Sequence, residues 1–350
     1  NAEYDNAMNE YNAKMAKLNQ GANAPVITTN SVNQALSLKS ENNATVDIEA
    51  LNPRITFKRV EEGTKYAGYQ IFDKNNAYVN NIDGEFLRVT YTNLKNSTYK
   101  GSKISKIVVT YSNSAPTGNR ITQGGLDAIK DGANDNFLCV FEDPVRCDMH
   151  STYVNSTYQL YDANGNLIDF SGTNDAWLSV GSLNFDQGND YKGGKNEGNP
   201  TAGISEGVKV ISGAQIKQLA GSSISVHDDG WAYADFNNYS GTGMNNGINT
   251  DNGGSGWDMD GSPYAYYGAI VFQLTGTSVT LRQGVVPWGG ADIASQYSNQ
   301  YLNNAWFTAG TTLPETKIKQ PILKTTEVHY HYNTSAINLN FPNNIDDLIF

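Results

Sequence analysis

Residues 158–170 read YQLYDANGNLIDF, and this stretch decides the fold class. Its two arms surround Asp162-Ala-Asn164-Gly165, and an Asn-Gly pair between short runs of strand formers is a strong hairpin signal. The same two-residue period recurs upstream. Leu87, Val89 and Tyr91 alternate with Arg88 and Thr90, and Ile107, Val109 and Tyr111 repeat the pattern. Each reads as a strand with one buried face. Gly68–Phe72, Val208–Ile211, Ala269–Leu274 and Ser278–Leu281 are further strands. Short helical patches are expected around Leu126–Lys130, Ala214–Leu219 and Ala291–Tyr297. Strands do not alternate regularly with helices, so the expectation is an all-β, sandwich-type domain with two large, mostly antiparallel sheets.

Composition agrees. Only 17% of the 350 residues are charged and 39% are hydrophobic, while Tyr alone contributes 21. Polarity is carried by Asn, Gly, Ser and Thr, as in an extracellular β-protein rich in turns. A net charge of −11 and a pI near 4.8 argue against nucleic acid and anionic membrane surfaces as partners. No apolar run is long enough to span a bilayer, so membrane insertion is not expected. The chain starts at Asn1 without Met or a leader pattern, which reads as a piece of a longer protein. Cys139 and Cys147 flank Glu142-Asp143-Pro144-Val145. Paired flanks would set them opposite each other, as a cross-strand disulfide or as two free thiols.

The ends differ from the middle. Over residues 1–20, Tyr4, Met8, Tyr11, Met15 and Leu18 follow 4-3-4-3 spacing, an apolar seam on a helix that Gly21 and Pro25 end. So short a helix needs a partner surface. Past Thr311 glycines cease and KIKQPILK leads into EVHYHY, where His329 and His331 share a strand face without a third metal ligand.

Residues 241–268, GTGMNNGINTDNGGSGWDMDGSPYAYYG, are too rich in glycine for a helix or a regular strand. They read as a long loop at the sheet rim, running into the Ala269–Leu274 strand, either functional or a solvated surface insertion without a ligand. Trp257, Asp258, Asp260 and Tyr264 share it. Trp231, Trp288 and Trp306 also lie in or beside Gly/Asn-rich segments. Indole faces beside amides and carboxylates suit sugar binding, since a sugar offers an apolar C–H face and a polar rim. A core anchor is the alternative for each Trp. Asp229, Asp258 and Asp260 are candidate calcium ligands, to be completed by carbonyls and waters because calcium takes six to eight oxygens. Paired-carboxylate glycoside hydrolysis, with Asp229 or Asp258 opposite Glu142, is the enzymatic alternative. No nucleophile–base–orienter pattern supports catalysis. The sequons at Asn43, Asn96, Asn155, Asn238 and Asn333 read as chance in an Asn- and Thr-rich chain.

Several stretches together carry a family resemblance. NAEYDNAMNEYNAKMAKLNQ is similar to the end of the alanine-rich helical repeats of streptococcal antigen I/II surface adhesins. STYQLYDANGNLIDFSGTN, NNGINTDNGGSGWDMDGSPYAYYGAIV and LNNAWFTAG resemble the variable (V) region of that family, which is related to glucan-binding protein C. EVHYHY resembles the junction to the proline-rich stalk. The resemblance implies a β-supersandwich head over residues 26–315, after the end of a stalk helix at 1–22 and before a junction and tail at 316–350. It further implies a cell-wall-anchored fibre whose helix winds against a proline-rich helix. The head would bind a host salivary or matrix glycoprotein, or glucan, in a cleft that carries calcium. Trp306 matches the Trp of the cleft floor, with Trp257, Tyr264 and Trp288 as further binding residues. The Cys pair departs from the family pattern. The resulting expectation is a non-catalytic adhesin head; a secreted glycan-active enzyme and a structural spacer are the alternatives.

Overall fold

The computed structural model describes residues 2–60, 68–74, 82–116, 138–145, 147–150, 152–186, 204–235, 238, 256–258, 261–287, 304–307 and 309–323. Among the described residues one α-helix, Ala2–Asn19, precedes a chain of strands. The largest sheet runs in the spatial order Ile224–Val226, Trp231–Ala234, Ile204–Ser212, Val279–Pro287, Thr152–Tyr161, Lys106–Pro116, Ile82–Thr92 and Thr45–Ala50, with Phe185–Asp186 also pairing on Ile204–Ser212. A five-stranded sheet follows the order Val26–Ile27, Ala214–Leu219, Ile270–Leu274, Trp177–Val180 and Ala309–Gly310. A second orders Asn304–Phe307, Cys147–His150, Leu138–Phe141, Gly68–Asp73 and Ile55–Val60. Among the described strands pairing is antiparallel except between Val26–Ile27 and Ala214–Leu219. Asn304–Phe307 is the edge of one five-stranded sheet, and the chain then enters the other as Ala309–Gly310. The two five-stranded sheets thus meet along one segment and share a core with the large one.

Register explains this core. Leu87, Tyr111, Ser156, Leu281 and Val210 form one row across the large sheet, and Val89, Val109, Tyr158 and Val279 form the next. Side chains alternate across a pleated strand, so both rows lie on one face. That face packs with Ile71 and Val140 of one smaller sheet and with Leu178, Val180, Ile270 and Phe272 of the other. The opposite face carries Thr110, Thr157 and Thr280, with 2.8 Å between the Thr157 and Thr280 hydroxyl oxygens. Val108 and Thr110 are themselves buried, so the Lys106–Pro116 strand is covered on both faces rather than one.

The quoted hairpin forms up to its turn. Asp162 Oδ1 accepts from the Asn164 and Asn166 amides, and Gly165 takes the left-handed conformation (φ 81°) that favours glycine. The returning arm bridges Tyr161 at Leu167 and then leaves the sheet. Ala214–Leu219, read as helical, is a strand. Its apolar residues Ala214 and Ile216 alternate with Gln215 and Lys217, and strands pair on both of its edges. The seven residues between left-handed Gly213 and Gly221 give too little length for a helix to nucleate. Conversely, Ala265–Gly268 makes a short 3-10 turn inside the stretch read as loop. Leu126–Lys130 and Ala291–Tyr297 lie outside the described residues.

The Cys139–Cys147 segment does pair as a hairpin, but one step away from the expected register. Cys139 stands opposite Asp148 and Cys147 opposite Val140. Successive residues alternate faces, so the two cysteines are not cross-strand partners.

The N-terminal helix carries its seam as expected, yet none of its residues is buried, and Leu18 is 37% exposed. It is held at its end. Asn19 Oδ1 accepts from the Val26 amide at 2.8 Å, and the Tyr11 hydroxyl lies 2.9 Å from Thr28 Oγ1. The segment after Thr311 runs beside the residues that follow the helix: Thr29 and Thr316 exchange two hydrogen bonds, as do Asn30 and Gln320. Among the described residues no helix is long and apolar enough to cross a membrane.

Candidate functional site

A polar line interrupts the apolar inner face of the large sheet toward one end. Glu206 stands opposite Val285, Gln283 opposite Val208 and Val154, and Ser156 opposite Leu281. Glu206 and Val208 share a face, as do Gln283 and Leu281, so Glu206, Gln283 and Ser156 descend diagonally across three neighbouring strands. Gln283 and Ser156 are 0% exposed and Glu206 is 8% exposed. Above Glu206 sits Asn184. Its backbone N–H donates to Glu206 Oε2 at 2.9 Å, and its Nδ2 donates to Asp258 Oδ2 at 3.1 Å and to Glu206 Oε2 at 3.3 Å. Exposure rises along this path from Ser156 and Gln283 to the partly exposed Asn184 and Asp258. The Asn304–Phe307 strand, which contains Trp306, packs against the Val279–Pro287 strand, which contains Gln283.

This arrangement sorts the expected site residues. Asp258 lies at the mouth of the polar line. Trp306 is placed by its backbone in the strand beside it, opposite Asp148. Trp257 is a core residue: it is 1% exposed, its Nε1 donates to Asn238 O at 2.7 Å, and Tyr267 meets it edge-on. An indole enclosed in this way has no face to offer a sugar, so the stacking role expected for it is corrected to an anchoring one. Tyr264 is partly exposed and packs against the Trp257–Tyr267 pair and against the cluster of Trp177, Leu219 and Tyr266. Trp288 and Asp260 lie outside the described residues.

Of the carboxylates expected to share calcium, the two that are described, Asp229 and Asp258, have different surroundings. Asp229 is exposed and accepts from the Trp231 amide at 3.0 Å, supporting its own turn at left-handed Gly230. Its carbonyl also binds Lys209 Nζ, and Lys209 lies on the outer face of the sheet. Asp258 is tied instead to the inner-face residue Glu206. Asp258, Glu206 and the Asn184 side-chain oxygen are donors of the kind calcium takes, and Asn184 Oδ1 has no hydrogen-bond partner. Three donors fall short of six, so carbonyls or waters would have to complete such a site. Glu142, the expected partner in a hydrolytic pair, is engaged by Arg59 at 2.7 Å.

Asn238 is the hub that fixes the loop. It is 0% exposed, and its Nδ2 donates to Leu183 O at 3.0 Å and Ser223 Oγ at 2.9 Å while its carbonyl holds Trp257. Leu183 directly precedes Asn184, so the buried Trp257 positions the neighbouring Asp258 over the polar line. Sequence reasoning overlooked Glu206, Gln283, Ser156 and Asn184. The available signal was parity: Ser156 falls in step with Val154 and Tyr158, and Gln283 with Leu281 and Val285. Burial of Asn155 at 3% and Asn238 at 0% exposure also keeps two of the sequons from carrying a glycan in the folded chain.

The model of the family "Glucan-binding protein C" matches residues 19–309. The structure of glucan-binding protein C of Streptococcus mutans is similar to this chain with a TM-score of 0.53 at 20% identity, covering 92% of this chain and 97% of that one. The adhesin domain of PrgB from Enterococcus faecalis gives 0.54 at 18% identity, covering 88% and 98%. The same domain bound to DNA gives 0.53 at 17% identity, covering 81% and 97%. The DNA-bound domain corrects one inference drawn above. Net charge is a sum over the whole surface, whereas phosphate contacts are local, so −11 does not exclude nucleic acid for a chain of this fold.

Proposed function

The chain belongs to the glucan-binding protein C family, and from that premise we propose that it is the head of a bacterial surface adhesin that binds glucan without chemistry. The observation that carries this reading is the polar line of Asp258, Asn184, Glu206, Gln283 and Ser156, set into an otherwise apolar interlayer face beside the Trp306 strand. Pockets that hold small polar ligands combine apolar walls with a few convergent polar groups. Calcium bound at Asp258 and Glu206 would neutralise the two carboxylates and offer coordination sites to sugar hydroxyls. The likeness to the antigen I/II variable region extends the ligand class to host salivary or matrix glycoproteins.

The same reading gives the ends of the chain a role. The helix, whose seam is partly covered, is held to Thr28 through Tyr11, and the segment following Thr311 is held to the adjacent Thr29 and Asn30. Their proximity supports the reading of a stalk in which the helix pairs with a proline-rich partner and the fibre is anchored in the cell wall.

Isothermal titration of the protein with dextran tests the binding reading. We expect saturable binding with no released product, weakened by about 1–3 kcal/mol in Trp306→Ala if that side chain stacks on the sugar. Product release would instead support the glycan-active enzyme. Absence of binding to dextran would remove glucan as the ligand.

A further inference from the structure

Gln283 and Ser156 present a physical problem that their surroundings do not solve. Both are 0% exposed, and Gln283 Nε2, Gln283 Oε1 and Ser156 Oγ all lack a hydrogen-bond partner. A buried amide without partners is costly, and such groups in folded proteins are satisfied by protein, water or ligand. Apolar residues of the same parity, Val154, Tyr158, Leu281 and Val285, would pack there without that cost.

We infer that Gln283 and Ser156 are binding residues of the proposed cleft, and that they receive a hydroxyl group of a neutral saccharide. An amide donates and accepts, and a serine hydroxyl does both, so together they match a sugar hydroxyl, which also does both. Neither group carries a charge to balance an anionic sugar or a phosphate at this depth. The approach is from the rim, where Asn184 and Asp258 are partly exposed. This inference rests on the glycan-binding reading and narrows it to named residues and an uncharged group.

The test uses the whole chain, as wild type, Gln283→Met and Ser156→Ala. Affinity and thermal shift are measured with dextran, mannan and galactan as neutral polymers and hyaluronate as an anionic one. We expect a neutral polymer to bind the wild type and to lose about tenfold or more in affinity with each variant, because a site built to pair a hydroxyl discriminates strongly when one side is removed. The melting temperature should stay level or rise, since an unpaired buried group has been deleted. Should Gln283→Met fail to fold, Ser156→Ala removes a single atom and carries the test. Equal affinity in wild type and variants would assign the two residues to an internal water and overturn the inference. So would binding of hyaluronate alone, or of no saccharide. Failure of the glucan reading looks different: dextran would be silent while mannan or galactan bound and lost affinity in Gln283→Met.

Discussion

Trp257 lies directly on Gly268: a Cβ placed on that glycine would come within 1.8 Å of Trp257 Cζ3. The indole can occupy the core because position 268 has no side chain. Gly268→Ala should therefore destabilise the protein by about 1–3 kcal/mol, the range for forcing extra volume into a packed core. Trp257→Ala should cost about 3–5 kcal/mol through the cavity it leaves. Thermal or urea unfolding of both variants checks this. A Trp257→Ala protein with wild-type stability would return that residue to the ligand-binding surface.

Glu41 offers a pH-dependent contribution. It is 2% exposed, and its carboxylate accepts from the backbone N–H groups of Lys95, Asn96 and Ser97 at 2.7–2.8 Å. Burial pushes its pKa up, but the hydrogen bonds outweigh burial and hold it below the ordinary carboxylate value. A lowered folded pKa means the stabilisation is complete above the unfolded value of about 4.3 and disappears as pH falls through the folded one. Glu41→Gln should lower stability at pH 7 by about 1–3 kcal/mol. The gap to wild type should narrow in unfolding titrations carried toward pH 3. A gap that stayed constant with pH would show that the charge of Glu41 is immaterial.

Calcium uptake should follow Asp258 and Glu206 rather than Asp229. Titrating chelator-treated protein with calcium should show binding that falls sharply in Asp258→Asn and Glu206→Gln. Asp229→Asn, whose side chain supports an exposed turn, should behave as wild type. Loss of uptake in Asp229→Asn alone would reverse this assignment.

The N-terminal helix should add little to the stability of the β-domain, because none of its residues is buried. Removing residues 1–18 should shift the melting temperature by only about 1–2 °C, the scale of a few tenths of a kcal/mol in a domain of this size. Amide exchange across Ala2–Asn19 should be fast in the isolated chain. A large loss of stability on truncation would mean the seam already has its partner.

The sequence by itself determined the β class, most strand positions and the inner parity, since a two-residue period is a local property of each segment. Leu87, Val89 and Tyr91 had to share a face whatever they packed against. It also determined the N-terminal helix and its apolar seam, though not how far that seam is covered. Only the tertiary structure decided which strands are neighbours, and with that the site. Ser156 and Gln283 are 127 residues apart, and only pairing of their strands makes them diagonal neighbours of each other and of Glu206. Long-range pairing likewise made Ala214–Leu219 a strand, and tertiary packing enclosed Trp257 against Gly268. A period fixes the face a side chain occupies, whereas register between distant strands fixes what it meets there. Register depends on the packing of the whole sandwich.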